Sequence, residues 1–196
     1  MKILQTLQIR RLLERAPRET PYGGGADLDH EFSKRAAVLI PIIERPGAHS
    51  VLFTRRTAHL RHHSGQIAFP GGRVEEHDQS IEATALRESR EEIGLDPLRV
   101  EVLGRLDDLH ARVSGFRITP VVGLVQHPVE FAPDANEVDE IFEVPLNFLL
   151  DPVNHTYETR QSEQGTRRVH VVQFGTHRIW GATASIVVEL YRRLSE

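Results

Sequence analysis

Glu88, Glu91 and Glu92 lie three and four residues apart in the segment RESREEIGL, residues 87–95. If that run is helical, all three carboxylates crowd one face, because positions at those offsets are neighbours on a helix surface. Like charges held that closely repel, and a chain keeps such a cluster most readily when a positive charge sits on it. All-oxygen donors suit a hard divalent cation, Mg2+ or Mn2+. The competing reading is a solvated acidic helix with an i to i+4 pair, Arg87 with Glu91, which is the ordinary reading of an isolated Glu-Glu pair.

The flanking residues are those of an element built to hold such a cluster. Asp78 is expected as the N-cap of a helix and Gly94 as its stop, since glycine tolerates positive φ. Ile81, Ala85, Leu86 and Ile93 give this helix an apolar flank beside the acidic one. Upstream, Phe69, Pro70, Gly71 and Gly72 are expected to form a tight turn that brings backbone oxygens near the carboxylates.

Further out, the apolar run from 37 to 43 and the segment at 50–54 read as buried strands joined by a turn at Arg45, Pro46 and Gly47. Segments 99–106 and 117–125 read as two more, with Pro120 marking a bulge or a sheet edge. Pro145 to Leu150 suggests a short helix, 168–174 a late strand, and the polar stretch Glu158 to Thr166 the turn before it. The C-terminal segment spaces Ile186, Val187, Leu190, Tyr191 and Leu194 along one helix face. Ile3, Leu4, Leu7, Ile9, Leu12 and Leu13 supply apolar surface for an amphipathic first helix, and Tyr22 to Asp27 a flexible connection. Strands mixed with helices, without a regular βαβ repeat, predict an α/β sandwich with a mixed β-sheet. The division expected is residues 1–27 as N-terminal helix and connection, and 28–196 as the principal domain.

Composition narrows the function classes. The 196 residues fit one domain with a sizeable core, and 39% hydrophobic with 27% charged residues is ordinary for a soluble globule. No apolar stretch approaches membrane-spanning length. The N-terminus lacks a secretory signal, although its arginines leave a transit peptide open. The absence of cysteine removes disulfides, thiolate metal sites and cysteine nucleophiles, and fits a cytoplasmic location. A formal net charge of −4 argues against a nucleic-acid binder. His59, His62 and His63 do not make a zinc site without further ligands. Trp180 and Tyr191, although usable as an adenine platform, are expected in the core, Trp180 at the start of the last helix.

With these residues in view, the segment resembles the Nudix box of diphosphate hydrolases, a glycine-led loop followed by REUXEEXGU. Arg87, Glu88, Glu91, Glu92, Gly94 and Leu95 fall in register. Gln79 stands where the general box has an acid, and Asp78 precedes it by one residue, so the loop is one residue longer; Ser89 replaces an apolar or small residue. Residues 52–72, LFTRRTAHLRHHSGQIAFPGG, resemble the segment ahead of the box in the coenzyme A pyrophosphatase branch, which commonly carries the longer loop. Segments 115–125, 137–146 and 179–190 resemble that branch too.

The resemblance implies a Nudix-type α/β/α sandwich and Mg2+ or Mn2+ bound by Glu88, Glu91, Glu92 and the Gly72 carbonyl, with Arg87 orienting the glutamates. The general base is then either a box glutamate or a carboxylate of the later loop, where Glu137, preferred over Glu140, becomes a supplementary ligand or base. Arg56, His63 and Gln66, with Arg61 beside them, become contacts to a phosphate-rich substrate. The activity implied is cleavage of coenzyme A or its thioesters to 3′,5′-ADP and a 4′-phosphopantetheine product. ADP-ribose, NADH or another nucleoside diphosphate derivative is the alternative substrate class, and a non-catalytic ligand-binding regulator the alternative function. A small-molecule nucleotide is the expected partner, and a homodimer is compatible with the N-terminal apolar face.

Overall fold

A computed structural model of the chain describes residues 6–13, 34–59, 64–111, 115–162 and 165–195. Its spine is β1 (Lys34–Arg45), which turns through Pro46 and Gly47 into β2 (Ala48–Arg56), with Arg45 paired to Ala48. Gly47 supplies the positive φ of that turn, 75°. The remaining strands are β3 (Ile67–Ala68), β4 (Gly71–Arg73), β5 (Val100–Arg105), β6 (Leu109–Ala111), β7 (Phe116–Val125), β8 (Val138–Pro145), β9 (Thr156–Ser162), β10 (Gly165–Phe174) and β11 (His177–Trp180). Four helices accompany them: α1 (Thr6–Leu13), α2 (Ile81–Ile93), α3 (Leu146–Leu149) and α4 (Ala182–Leu194).

One edge of β1 pairs with β7 in parallel over residues 34–43, while the other is shared between β4, at 36–38, and β2, at 42–45. β2 pairs with β8 along 50–56, and its opposite edge takes β1 at 48–51 and β3 at 54–55. β1 and β2 thus part midway, and the short strands β3 and β4 enter the opening. All pairings but β1 with β7 are antiparallel, so the sheet is mixed; β9, β10 and β11 form a second sheet.

The unbroken apolar run in β1 follows from burial on both faces. Ala37, Leu39 and Ile43 pack with Leu52, Val121 and Val125 against Ile81, Ala85 and Ile93 of α2. Ile40 and Ile42 pack with Val51, Phe53, Val122 and Leu124 against Ile9 and Leu13 of α1 and Ile186, Val187, Leu190 and Leu194 of α4. Helices therefore cover the two faces of a mixed sheet, the α/β/α sandwich expected. Among the described residues no helix is long and apolar enough to cross a membrane.

Several local expectations change. The N-cap of α2 is Ser80, extended at φ −159°, whose Oγ accepts from the Ala83 N–H at 3.1 Å; Asp78 has another task. Gly94 ends the helix in the left-handed region as anticipated. Gly71 and Gly72 belong to β4 rather than to a turn. Pro120 lies at neither a sheet edge nor a bulge. It sits between the β5 and β6 pairings with β7, where its missing N–H falls in the gap between them, and its carbonyl accepts from the Leu106 N–H. The polar stretch from 158 is strand, not turn: β9 pairs with β10 through seven residues, and its exposed side chains leave no apolar alternation to read. Trp180 closes β11 instead of opening α4, Gly181 intervening at φ 66°. Leu7 is 72% exposed, so the buried face of α1 is carried by Ile9 and Leu13; Ile3 and Leu4 lie outside the described residues.

The first turn of α2 is tied to β5 by Arg105, which donates from Nε at 2.5 Å and from Nη2 at 2.7 Å to the two oxygens of Glu82. The Arg105 hydrogen bonds hold the Glu82 carboxyl down at about 2, although partial burial opposes the shift. A carboxyl depressed from an ordinary value near 4.5 stabilises the fold above that value and ceases to do so as pH falls through about 2. Urea unfolding between pH 5 and 2 should therefore show the wild type losing more stability than Glu82→Gln. At pH 7 the variant should cost on the order of 1 kcal/mol or less. Parallel pH profiles would contradict the assignment.

Candidate functional site

The carboxylates reach one region because Arg87 holds the loop and the helix together. Asp78, its side chain only 3% exposed, accepts from Arg87 Nε and Nη2, both at 2.9 Å, from Thr84 Oγ1 at 2.9 Å and from the Glu75 N–H at 2.9 Å. Arg87 Nη2 also donates to the Arg73 carbonyl at 3.0 Å, and Nη1 to Glu88 Oε1 at 2.9 Å and Glu91 Oε2 at 3.0 Å. All five donors of a planar fork can be engaged in this way only at a fixed phase of helix to loop. The Arg87 hydrogen bonds drive the Asp78 carboxyl far below the usual carboxylate range. Asp78 in turn, ahead of Glu88, raises the guanidinium.

Glu88 and Glu92 point inward and Glu91 outward, with side chains 16%, 4% and 58% exposed. Burial raises Glu88 above its ordinary value, Arg87 opposes this, and Glu91 and Glu137 add repulsion. Burial pushes Glu92 up to about 7 against the charge of Arg56 and the Gly71 N–H, with Glu137 and Glu88 adding to the rise. Glu92 Oε1 accepts from Arg56 Nη1 and Oε2 from the Gly71 N–H, each at 3.2 Å.

Two glycines make the close approach possible. A Cβ on Gly72 would lie 2.4 Å from the Glu88 carboxylate, and one on Gly71, at φ 156°, would lie 2.3 Å from the Ala37 carbonyl oxygen. The residue types therefore follow from space as well as from backbone freedom. Ser89, fully buried, donates Oγ–H to the Ala85 carbonyl at 2.7 Å and so satisfies itself inside the helix.

Glu137 arrives from the loop before β8. That loop is tied to α2 by Asp134 N–H to the Glu92 carbonyl, and to β2 by Thr57 N–H to the Glu137 carbonyl, both at 3.0 Å. Arg56 Nη2 stands 3.9 Å from Glu137 Oε2, so one guanidinium faces both Glu92 and Glu137. Glu140, by contrast, is engaged by Arg55 at 2.7 Å and His177 at 3.1 Å. Gln66 lies beside Arg56, whose N–H donates to the Gln66 carbonyl at 3.0 Å. His63, with Arg61 and His62, lies outside the described residues.

Among the described residues no three His, Asp or Glu side chains converge as ligands on a single point. Guanidiniums stand on the oxygens instead, Arg87 on Glu88 and Glu91 and Arg56 on Glu92. The donor chemistry nonetheless fits a hard divalent cation: Glu88, Glu91, Glu92 and Glu137 offer only oxygen, and the buried Glu92 carboxylate has one guanidinium and one N–H against it. The residue that sequence reasoning missed is Asp78, whose role is to anchor Arg87. The acid one position early in the loop was its only signal.

A family model described as the NUDIX domain matches residues 33–164. A protein of Pectobacterium atrosepticum named uncharacterized Nudix hydrolase NudL is 42% identical over 163 residues, 83% of this chain and 84% of that protein. A namesake from Yersinia pestis is 43% identical over 169 residues, covering 85% of this chain and 84% of its own length. The crystal structure of a MutT/nudix family protein from Enterococcus faecalis superposes with a TM-score of 0.51 at 15% identity, covering 99% of this chain and 76% of that one, a likeness of fold.

Replacing Asp78 by alanine leaves a mostly buried guanidinium without its two-point acceptor. Because Glu88, Glu91 and the Arg73 carbonyl still face the guanidinium, the expected cost is about 1–3 kcal/mol, read as a lower urea midpoint. A loss below about 1 kcal/mol would show that the pair does not anchor the loop.

Proposed function

Because the chain belongs to the Nudix hydrolase family, we propose that it is a Mg2+- or Mn2+-dependent hydrolase that cleaves the diphosphate of coenzyme A or its thioesters. The products are 3′,5′-ADP and 4′-phosphopantetheine, or the acylated form of the latter. The observation that carries this reading is the position of segment 52–72, whose residues resemble the coenzyme A branch. It runs along β2 to Arg56, which meets Glu92, and returns through Gln66 to the glycines that meet Glu88 and Glu92. The part of the sequence that speaks for the substrate therefore borders the part that speaks for the chemistry.

Glu88, Glu91, Glu92 and the Gly72 carbonyl would hold the cation. When bound, it supplies positive charge against the diphosphate oxygens and makes a water more acidic. Water attacks one phosphorus, the P–O bond to the bridging oxygen breaks, and no covalent intermediate with the protein is required. Arg87 keeps Glu88 and Glu91 in phase with the loop. Glu137, 47% exposed and within ion-pair distance of Arg56, would accept the proton of the attacking water or serve as a further ligand. Arg56 offers a fork for phosphate oxygens, and Gln66 flanks it. His63 is included on its place in the motif alone. An intact set of three glutamates favours turnover over a purely ligand-binding role.

Purified protein incubated with coenzyme A and Mg2+ or Mn2+ should release 3′,5′-ADP, and ADP-ribose in the same assay should be the poorer substrate. Absence of cleavage with either metal, or a clear preference for ADP-ribose, would contradict the coenzyme A assignment. Glu92→Gln should lower kcat by roughly 10²–10⁴-fold while the protein stays folded. An undiminished rate would remove Glu92 from the metal site.

A further inference from the structure

Thr57 is the first residue past the end of β2, and only 5% of it is exposed. Valine has the same shape and would serve there unless the buried hydroxyl has a partner that needs an O–H. That partner is the Asn136 carbonyl, to which Thr57 Oγ1 donates at 3.0 Å across 79 residues of sequence. His59 Nε2 stands 3.5 Å from the same oxygen. The buried Ser89 hydroxyl, by contrast, donates to a carbonyl four residues back in its own helix.

The Thr57 N–H donates to the Glu137 carbonyl, also at 3.0 Å. One residue thus holds both carbonyls that flank the Glu137 Cα, and the two backbone angles of Glu137 lie between them. The Glu137 N–H is held as well, by the Asp134 carbonyl at 2.9 Å. A shift in register makes the match. Arg55 is opposite Glu140 but Arg56 is opposite Val138, so Asp139 is an extra residue and Thr57 falls level with Glu137 rather than Val138.

The Glu137 side chain needs such a hold. It is 47% exposed, and its carboxylate meets Arg56 at 3.9 Å, beyond hydrogen-bond length. A contact that long does not fix a direction, so the carboxylate is aimed by the backbone beneath it. Aim matters because a misplacement of about 1 Å at a reacting group can cost as much as 10²-fold in rate.

We propose that Thr57 is a positioning residue for the Glu137 carboxylate, its hydroxyl and N–H together fixing the backbone of Glu137 so that the side chain is held toward Arg56. The proposal rests on the reading above in which Glu137 is a proton acceptor or further ligand. No contact of Thr57 with substrate or cation is required.

Three variants of the full chain test it: Thr57→Val removes the hydroxyl while keeping the shape and the N–H, Thr57→Ser keeps the hydroxyl, and Glu137→Gln removes the charge being positioned. With coenzyme A and saturating Mg2+, Thr57→Val should lower kcat about tenfold with KM changed less than about twofold, and Thr57→Ser should stay within about twofold of wild type. Added to Glu137→Gln, Thr57→Val should slow turnover no further, because both act on one carboxylate. Amide exchange at Glu137 and Val138 should be about tenfold faster in Thr57→Val, while the amides of α2 and β1 keep their wild-type rates. An unchanged kcat in Thr57→Val, a full further loss in the Glu137→Gln background, or unaltered exchange at these two amides overturns the proposal. Wild-type turnover by Glu137→Gln alone overturns it too. Faster exchange at Glu137 and Val138 in Thr57→Val, with no cleavage of coenzyme A by the wild type, would uphold the hold of Thr57 on the loop and sink the diphosphatase reading.

Discussion

The guanidinium of Arg87 is the constraint on which the site depends. Its donors are divided between the loop, through Asp78 and the Arg73 carbonyl, and the helix, through Glu88 and Glu91. An arginine so placed does two jobs that a lysine cannot combine, because a single ammonium has no rigid fork to orient two groups at once. It offsets the mutual repulsion of the glutamates and sets the rotation of α2 against β4. Asp78 completes the arrangement from the other side, accepting also from Thr84 and the Glu75 N–H.

The sheet provides the complementary half. Where β1 and β2 separate, β3 and β4 fill the opening, and the second of these is almost side-chain-free where it passes α2. Glycine at 71 lets the strand lie against β1, and glycine at 72 leaves the space occupied by the Glu88 carboxylate. Arg56 then reaches Glu92 from β2, and the loop carrying Glu137 is pinned between β2 and the end of α2. Burial, with Glu137 and Glu88 nearby, raises the Glu92 carboxyl, and burial, with Glu91 and Glu137 nearby, raises Glu88, while Arg56 and Arg87 oppose the two shifts.

Much of this was legible in the residues. The acidic helix, its glycine stop, the buried strands around residues 37–43 and 50–54 and the C-terminal helix all follow from periodicity, because each buries an apolar face. What escaped was set by partners distant in sequence or by water. Asp78 looked like a cap because a cap is the local use of such a residue, whereas its actual partner lies nine residues away, nearly two turns into the helix. β9 was hidden because Glu158, Thr159 and Gln161 are polar and exposed. Trp180 looked like a core residue at a helix start; it ends a strand with the Arg160 guanidinium 4.1 Å above its ring, a pairing that no local pattern announces.

The central claim is that the geometry of Arg87, and not merely its charge, prepares the carboxylates for a cation. Mn2+ binding to the full chain, followed by electron paramagnetic resonance at pH 7.5, tests this most directly when wild type is compared with Arg87→Lys. The account predicts at least a tenfold loss of Mn2+ affinity in the variant, although net charge is unchanged. Equal affinity in the two proteins would contradict it.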